Sequence, residues 1–201
     1  LIDTSDLTMK QIEQLYIRAK ELNVDVARVH SGDVSVYGAL SEQITLLQKH
    51  NIDFQIVPGI PAYVEAAAQL KTELTAPGQV QSVILTRTSF GSTPMPEGED
   101  LKTFAKTGAT LVIHLSIRRL NYIYRELTPI LGDDAIVAVL YRIGWPDQQI
   151  ILDRLDNIAS RVREKKITRT ALIITGKNFK KKSDINSVLY DENFNHLFRP
   201  K

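Results

Sequence analysis

Several short apolar runs of this chain end in a turn bearing glycine, proline or aspartate, and a helical pattern usually follows. Val24-Asp25-Val26-Ala27-Arg28-Val29 alternates as a strand does and is rich in β-branched residues. Ser31-Gly32-Asp33 then forms a tight polar turn, and Leu40, Ile44 and Leu47 fall on one face of a helix over 39–50. The unit repeats with Phe54-Gln55-Ile56-Val57, the break Pro58-Gly59, and an Ala-rich helix over 62–71. Upstream, Thr8 and Gln11 have the spacing of a capping box that opens a helix carrying Ile12, Leu15, Ala19 and Leu22.

Thr75-Ala76-Pro77-Gly78 is the best domain junction, dividing the chain into 1–77 and 78–201. Beyond it, 82–87 reads as a strand, 91–98 as a Gly/Pro-rich loop and 99–106 as a helix. An apolar run at 110–115 precedes a helix over 118–131 that stops at Gly132. Strands at 135–143 and 170–175 flank a helix over 155–163. That order is α/β in both halves, with several strands apolar throughout, as in sheets covered on both faces.

Composition narrows the chemistry. With 25 basic and 23 acidic residues the charge is too even to advertise nucleic acid or an anionic membrane as partner. The chain has no cysteine, which removes disulfides, thiolate metal sites and a cysteine nucleophile. No apolar stretch approaches the roughly 20 residues of a membrane span, and a cytoplasmic protein fits best. His30, His50, His114 and His196 lack metal-ligand spacing. His30 and Ser31 are neighbours whose side chains diverge on an extended backbone, so they make no nucleophile–base pair. Neither a GxSxG elbow nor a Walker A loop is present. Asp133-Asp134 and the four lysines within 177–182 read as solvated turns.

What remains is ligand binding at strand carboxyl ends, where loops of an open α/β sheet approach their ligands. Ser31-Gly32-Asp33 and Pro58-Gly59-Ile60-Pro61-Ala62 are two such loops, and side by side they suit one elongated cofactor. The same residue types serve any tight turn, so spacing alone leaves both readings open.

Arg28 to Gly38, R-V-H-S-G-D-V-S-V-Y-G, resembles the second signature of the tetrapyrrole methylases. Within that family the likeness narrows to the branch that methylates C11 of precorrin-4 or cobalt-precorrin-4 in cobalamin synthesis. It is carried in order by Val57-Pro58-Gly59, Glu73-Leu74-Thr75, Val83 to Arg87, and Thr93-Pro94-Met95-Pro96-Glu97. Trp145-Pro146-Asp147, Leu189-Tyr190-Asp191 and Phe198-Arg199 complete it. The resemblance implies two α/β domains with the active-site trough between them, usually in a homodimer. It implies S-adenosylmethionine as methyl donor, S-adenosylhomocysteine as product and a corrin precursor as substrate.

Carried over by position, Ser31, Gly32, Asp33 and Val36 would line the cofactor, Pro61 and Ala62 would form a second wall, and Leu115 and Ile143 would close over it. The substrate's carboxylates call for forked arginine donors, which makes Arg87, Arg118 and Arg142 the candidates. Tyr37, Glu42 and Glu97 lie in matched motifs and are candidates for the substrate side. No general base is obviously demanded, so no catalytic residue is singled out. A metal ligand set is not implied.

Some positions depart from the family. Ser92 stands where arginine is usual, and Pro61 replaces a serine or threonine. Ile143-Gly144 replaces Ala-Thr, and Asp153-Arg154-Leu155 replaces Gly-Thr-Leu. The family's opening strand and G-A-G-P-G loop, roughly fifty residues and somewhat more than a minimal βαβ unit, have no counterpart. The expectation is a functional chain with a Gly-rich strand-loop upstream, and poor stability for residues 1–201 alone. Two other readings share many of these motifs: a sister corrin-precursor methylase acting at another carbon, and a tetrapyrrole-binding domain without transferase activity.

Overall fold

The computed structural model describes residues 1–89, 93–179, 194, 197 and 199. Contacts divide the chain into two compact units, Leu1–Pro61 and Ala62–Lys201. The division precedes the Thr75–Gly78 turn because the helix over 62–70 packs into the second unit's core.

In the first unit, α1 (Met9–Glu21) opens on the expected capping box, with Thr8 Oγ1 accepting from Gln11 N and Gln11 Oε1 accepting from Thr8 N. Two of the orphan donors at the helix start are thereby satisfied. α2 (Leu40–Lys49) follows the Ser31–Asp33 loop. Glu13 of α1 accepts from both Lys49 and His50 at the end of α2, which holds the helices together.

The strands expected at 24–29 and 54–57 do not form. Among the described residues, 25–31 and 53–58 make no backbone–backbone hydrogen bond with anything. A strand exists only as a partner in a ladder, and neither run has one. The described residues of the first unit therefore carry helices and unpaired runs, and the α/β class of the chain rests here on the five-stranded sheet of the second unit.

The second unit begins with α3 (Ala62–Leu70) and continues β1 (Val83–Arg87), α4 (Leu101–Lys106), β2 (Thr110–His114), α5 (Leu120–Leu131), β3 (Ile136–Tyr141), β4 (Gln149–Arg154), α6 (Ile158–Glu164) and β5 (Ala171–Thr175). The sheet order is β1-β2-β5-β3-β4, with β1 and β2 parallel and every other pair antiparallel. β4 was not expected from sequence; it pairs along β3 from Ile136↔Arg154 to Tyr141↔Gln149.

Alternation along the strands builds two cores. Leu111, Ile113, Val137, Val139, Ile151 and Ile173 face α4, α5 and α6. Val112, Ala138, Leu140, Leu172 and Ile174 face the side on which Ala66 of α3 packs. Most of these side chains are fully buried, each contributing about 1.5–3 kcal/mol by leaving water. Asp100 caps α4 through Thr103 N, and Gly132, with φ of 83°, ends α5.

Candidate functional site

In the first unit the two loops singled out by sequence do meet. Asp33 Oδ2 accepts from Gly59 N at 2.8 Å, while Oδ1 accepts from Ser35 N at 2.8 Å and from the Ser35 hydroxyl. The Ser35 hydroxyl, then the Gly59 and Ser35 amides, hold the Asp33 carboxyl below the usual carboxylate range. The group is therefore anionic at neutral pH. A Cβ placed on Gly59 would lie 2.0 Å from Gly32 O, so the close approach of the two loops requires glycine there.

Ser31 and Gly32 are exposed, Gly32 has φ of 72°, and Val36 is half-buried. Tyr37 and Ala39 both adopt left-handed backbone, at φ of 57° and 50°. Between them Gly38 lies so close to Val34 that a Cβ would sit 2.3 Å from its carbonyl oxygen. Glu42 is exposed on the first turn of α2, and Pro61 is half-buried. Burial and the Arg28 charge push the His30 pKa down. A cavity of about 740 Å³, within the size range of ligand sites, runs between residues 25–30 and 53–59 and reaches Gly32 and Gly59.

In the second unit the sheet topology gathers the other candidates. β1, β2 and β3 run in the same direction, so Arg87, Leu115, Arg142 and Ile143 lie at one end of the sheet. Leu115 and Arg142, immediately after β2 and β3, share a left-handed backbone at φ of 54° and 45°. Such strain in non-glycine residues clusters at ligand sites. Leu115 is 69% exposed, whereas Ile143 packs against the second core. Ala62 is the first residue of α3, and Glu97 is exposed in the loop before α4. Ser92 and the motif residues Leu189, Tyr190, Asp191 and Phe198 lie outside the described residues.

The three candidate arginines are already engaged by protein acceptors. Arg87 Nη1 donates to the carbonyls of Thr88 and Thr93, and Nη2 donates to that of Pro94, each at 3.2 Å. Arg118 Nε donates to Thr168 O at 2.9 Å. Arg142 pairs with Asp147 at 2.8 Å and lies 4.4 Å over the Trp145 ring. Each guanidinium has five donors, so these contacts set its orientation and leave further N–H groups for a ligand.

The family described as Tetrapyrrole (Corrin/Porphyrin) Methylases matches residues 3–159. The chain belongs to the tetrapyrrole methylases. It is 42% identical to a precorrin-4 C(11)-methyltransferase of Sinorhizobium sp, over 99% of this chain and 79% of that protein. It is 39% identical to a cobalt-precorrin-4 C(11)-methyltransferase of Methanocaldococcus jannaschii, over 99% of this chain and 77% of that one. Among solved structures, a cobalt precorrin-4 methyltransferase of cobalamin biosynthesis superposes with a TM-score of 0.84 at 32% identity, covering 89% of this chain and 74% of that chain.

Sequence reasoning missed two polar groups that organise this methylase. Ser116 Oγ accepts from Thr88 N at 2.8 Å and from Thr88 Oγ1 at 2.9 Å, and donates to His114 O, joining the ends of β1 and β2. Gln43 is 5% exposed and hydrogen-bonded on every side. The only signal for either was a polar residue on an otherwise inward-facing pattern, which the surrounding serines and glutamines disguised.

Proposed function

We infer that the protein transfers the methyl group of S-adenosylmethionine to C11 of precorrin-4 or its cobalt complex, a step in cobalamin biosynthesis. The observation that carries this reading is the match along nearly the whole chain to relatives named for that reaction at both ends of the cobalt question. The donor supplies an activated sulfonium methyl group, so the reaction is an in-line displacement at carbon. The protein's task is to align donor and acceptor at near-contact distance and exclude water.

On this reading Ser31, Gly32, Asp33 and Val36, with Pro61 and Ala62, bind the cofactor from the first loop pair. The contact between Gly32 and Gly59 supports it, because backbone there is free of side chains. Leu115 and Ile143 offer apolar surface to the same ligand. Arg87, Arg118 and Arg142 present their remaining donors to the substrate's carboxylates, with Tyr37, Glu42 and Glu97 beside it. The active species is a cytoplasmic homodimer. No helix among the described residues is long and apolar enough to cross a membrane.

The test is incubation with methyl-labelled S-adenosylmethionine and each form of precorrin-4, followed by location of the label by NMR. One labelled methyl at C11 is expected. Label at another carbon would identify a sister methylase, and binding without transfer would identify a non-catalytic domain. Sedimentation of the protein would test the dimer.

A further inference from the structure

The Ser31–Asp33 loop leaves and rejoins its unit through two stems, and one buried side chain holds both. Gln43 Oε1 accepts from Arg28 Nε at 3.1 Å on the entry stem and from the Tyr16 hydroxyl of α1 at 2.9 Å. Gln43 Nε2 donates to Gly38 O at 3.4 Å and Ala39 O at 3.3 Å on the exit stem. A primary amide offers two donors and an oxygen with two lone pairs, so this one is fully used. On the entry side, Arg28 Nη1 donates in turn to Thr4 Oγ1, which fixes the guanidinium from its other edge.

The exit stem is the part that needs holding. It contains the two left-handed non-glycine residues Tyr37 and Ala39 and the tight Gly38–Val34 contact. A backbone in that state persists only where its surroundings over-determine it. We propose that Gln43 is the positioning residue of the cofactor loop. It touches no cofactor; it sets the separation of Arg28 from Gly38–Ala39 and so the curvature of the loop between them. The Asp33–Gly59 hydrogen bond fixes the tip that Gln43 presents. This inference rests on the cofactor reading of that loop.

A residue that merely filled the core would tolerate an apolar isostere with a loss of stability alone. Gln43→Met therefore separates the two roles. By calorimetry with S-adenosylhomocysteine, folded Gln43→Met measured well below its melting temperature should bind at least about tenfold more weakly than wild type. Its cofactor KM should rise while kcat at saturating cofactor and substrate stays unchanged. Gln43→Glu retains the acceptor for Arg28 and Tyr16 but loses both donors to the exit stem, so its affinity should fall between the two. It also decides the matter if Gln43→Met does not fold: affinity equal to wild type would overturn the proposal. So would a Met variant that binds as wild type does, or one whose kcat and both KM values worsen together. A wild type that fails to bind the ligand would overturn the cofactor reading and this inference with it.

Discussion

Val24–Val29 in the first unit and Ile136–Tyr141 in the second are both apolar enough for strands, yet only the second run becomes one. Val137 and Val139 are 1% and 0% exposed, whereas Val26 and Val29 are 53% and 85% exposed. β-Propensity does not separate them. What separates them is company: β3 lies between β5 and β4 with both edges paired, while residues 25–30 and 53–58 line a cavity of about 740 Å³ and have no backbone partner among the described residues. Strand pattern is local, whereas a strand is a pair, and the pairing partner lies elsewhere in the chain. The 24–29 run thus keeps its valines open to solvent, whereas β3 is covered on both edges and both faces.

Hydrogen exchange should expose this contrast most strongly. Amides of 25–31 and 53–57 should exchange close to the rate of unprotected chain, while Leu172 to Ile174 in β5 should exchange only through global opening, slower by orders of magnitude. Comparable protection of the two regions, read peptide by peptide by mass spectrometry, would break the comparison outright.

Side-chain truncation tests the same difference in free energy. Leu127 on α5 is 0% exposed, so Leu127→Ala should destabilise by about 2–5 kcal/mol. Val29→Ala, at an exposed site, should stay within about 0.5 kcal/mol. Urea denaturation measures both; a Val29 loss matching that of Leu127 would mean the first unit buries a face that the structure leaves open.

Gly59→Ala sharpens the comparison within the site. Its Cβ must displace Gly32 O from 2.0 Å, forcing the two loops apart. S-adenosylhomocysteine affinity should fall about tenfold, or 1.4 kcal/mol. Gly98→Ala, where no atom lies within 4 Å of the new Cβ but φ is +81°, carries backbone strain alone and should leave that affinity unchanged. Titration of both variants is the check, and equal losses would detach Gly59 from cofactor binding.

How much was legible in the sequence follows the same line between local and non-local. The capping box at Thr8, the stop at Gly132 and the helices over 62–70 and 120–131 are short-range matters, and pattern reached them. β4 escaped because Gln149-Ile150-Ile151-Leu152-Asp153-Arg154 is a mixed run whose strand character comes from its register on β3. At the site, residue type was legible and partnership was not. Arginine at 87 and 142 was visible, but its grip on the Thr88, Thr93 and Pro94 carbonyls, or on Asp147 and Trp145, depends on how the loops fold back. The motif alone says nothing of what the Asp33 carboxylate binds within the chain; in the structure it ties one loop to the other through Gly59.

The smallest expected effect is a pH slope. Burial pushes the His114 pKa down, and burial together with Arg28 pushes that of His30 down, so each unit carries one histidine that resists protonation when folded. The unfolded chain still takes up a proton near the ordinary histidine value of about 6.5. Stability from keeping either ring neutral is present in full above that pH and is lost as pH falls toward the depressed folded value. His114 is the more deeply buried of the two, so its share of the loss should be the larger. Denaturation midpoints measured between about pH 8 and pH 5 should therefore flatten more with His114→Gln than with His30→Gln. A steeper dependence on His30 would place the tighter packing in the first unit, against everything its open backbone implies.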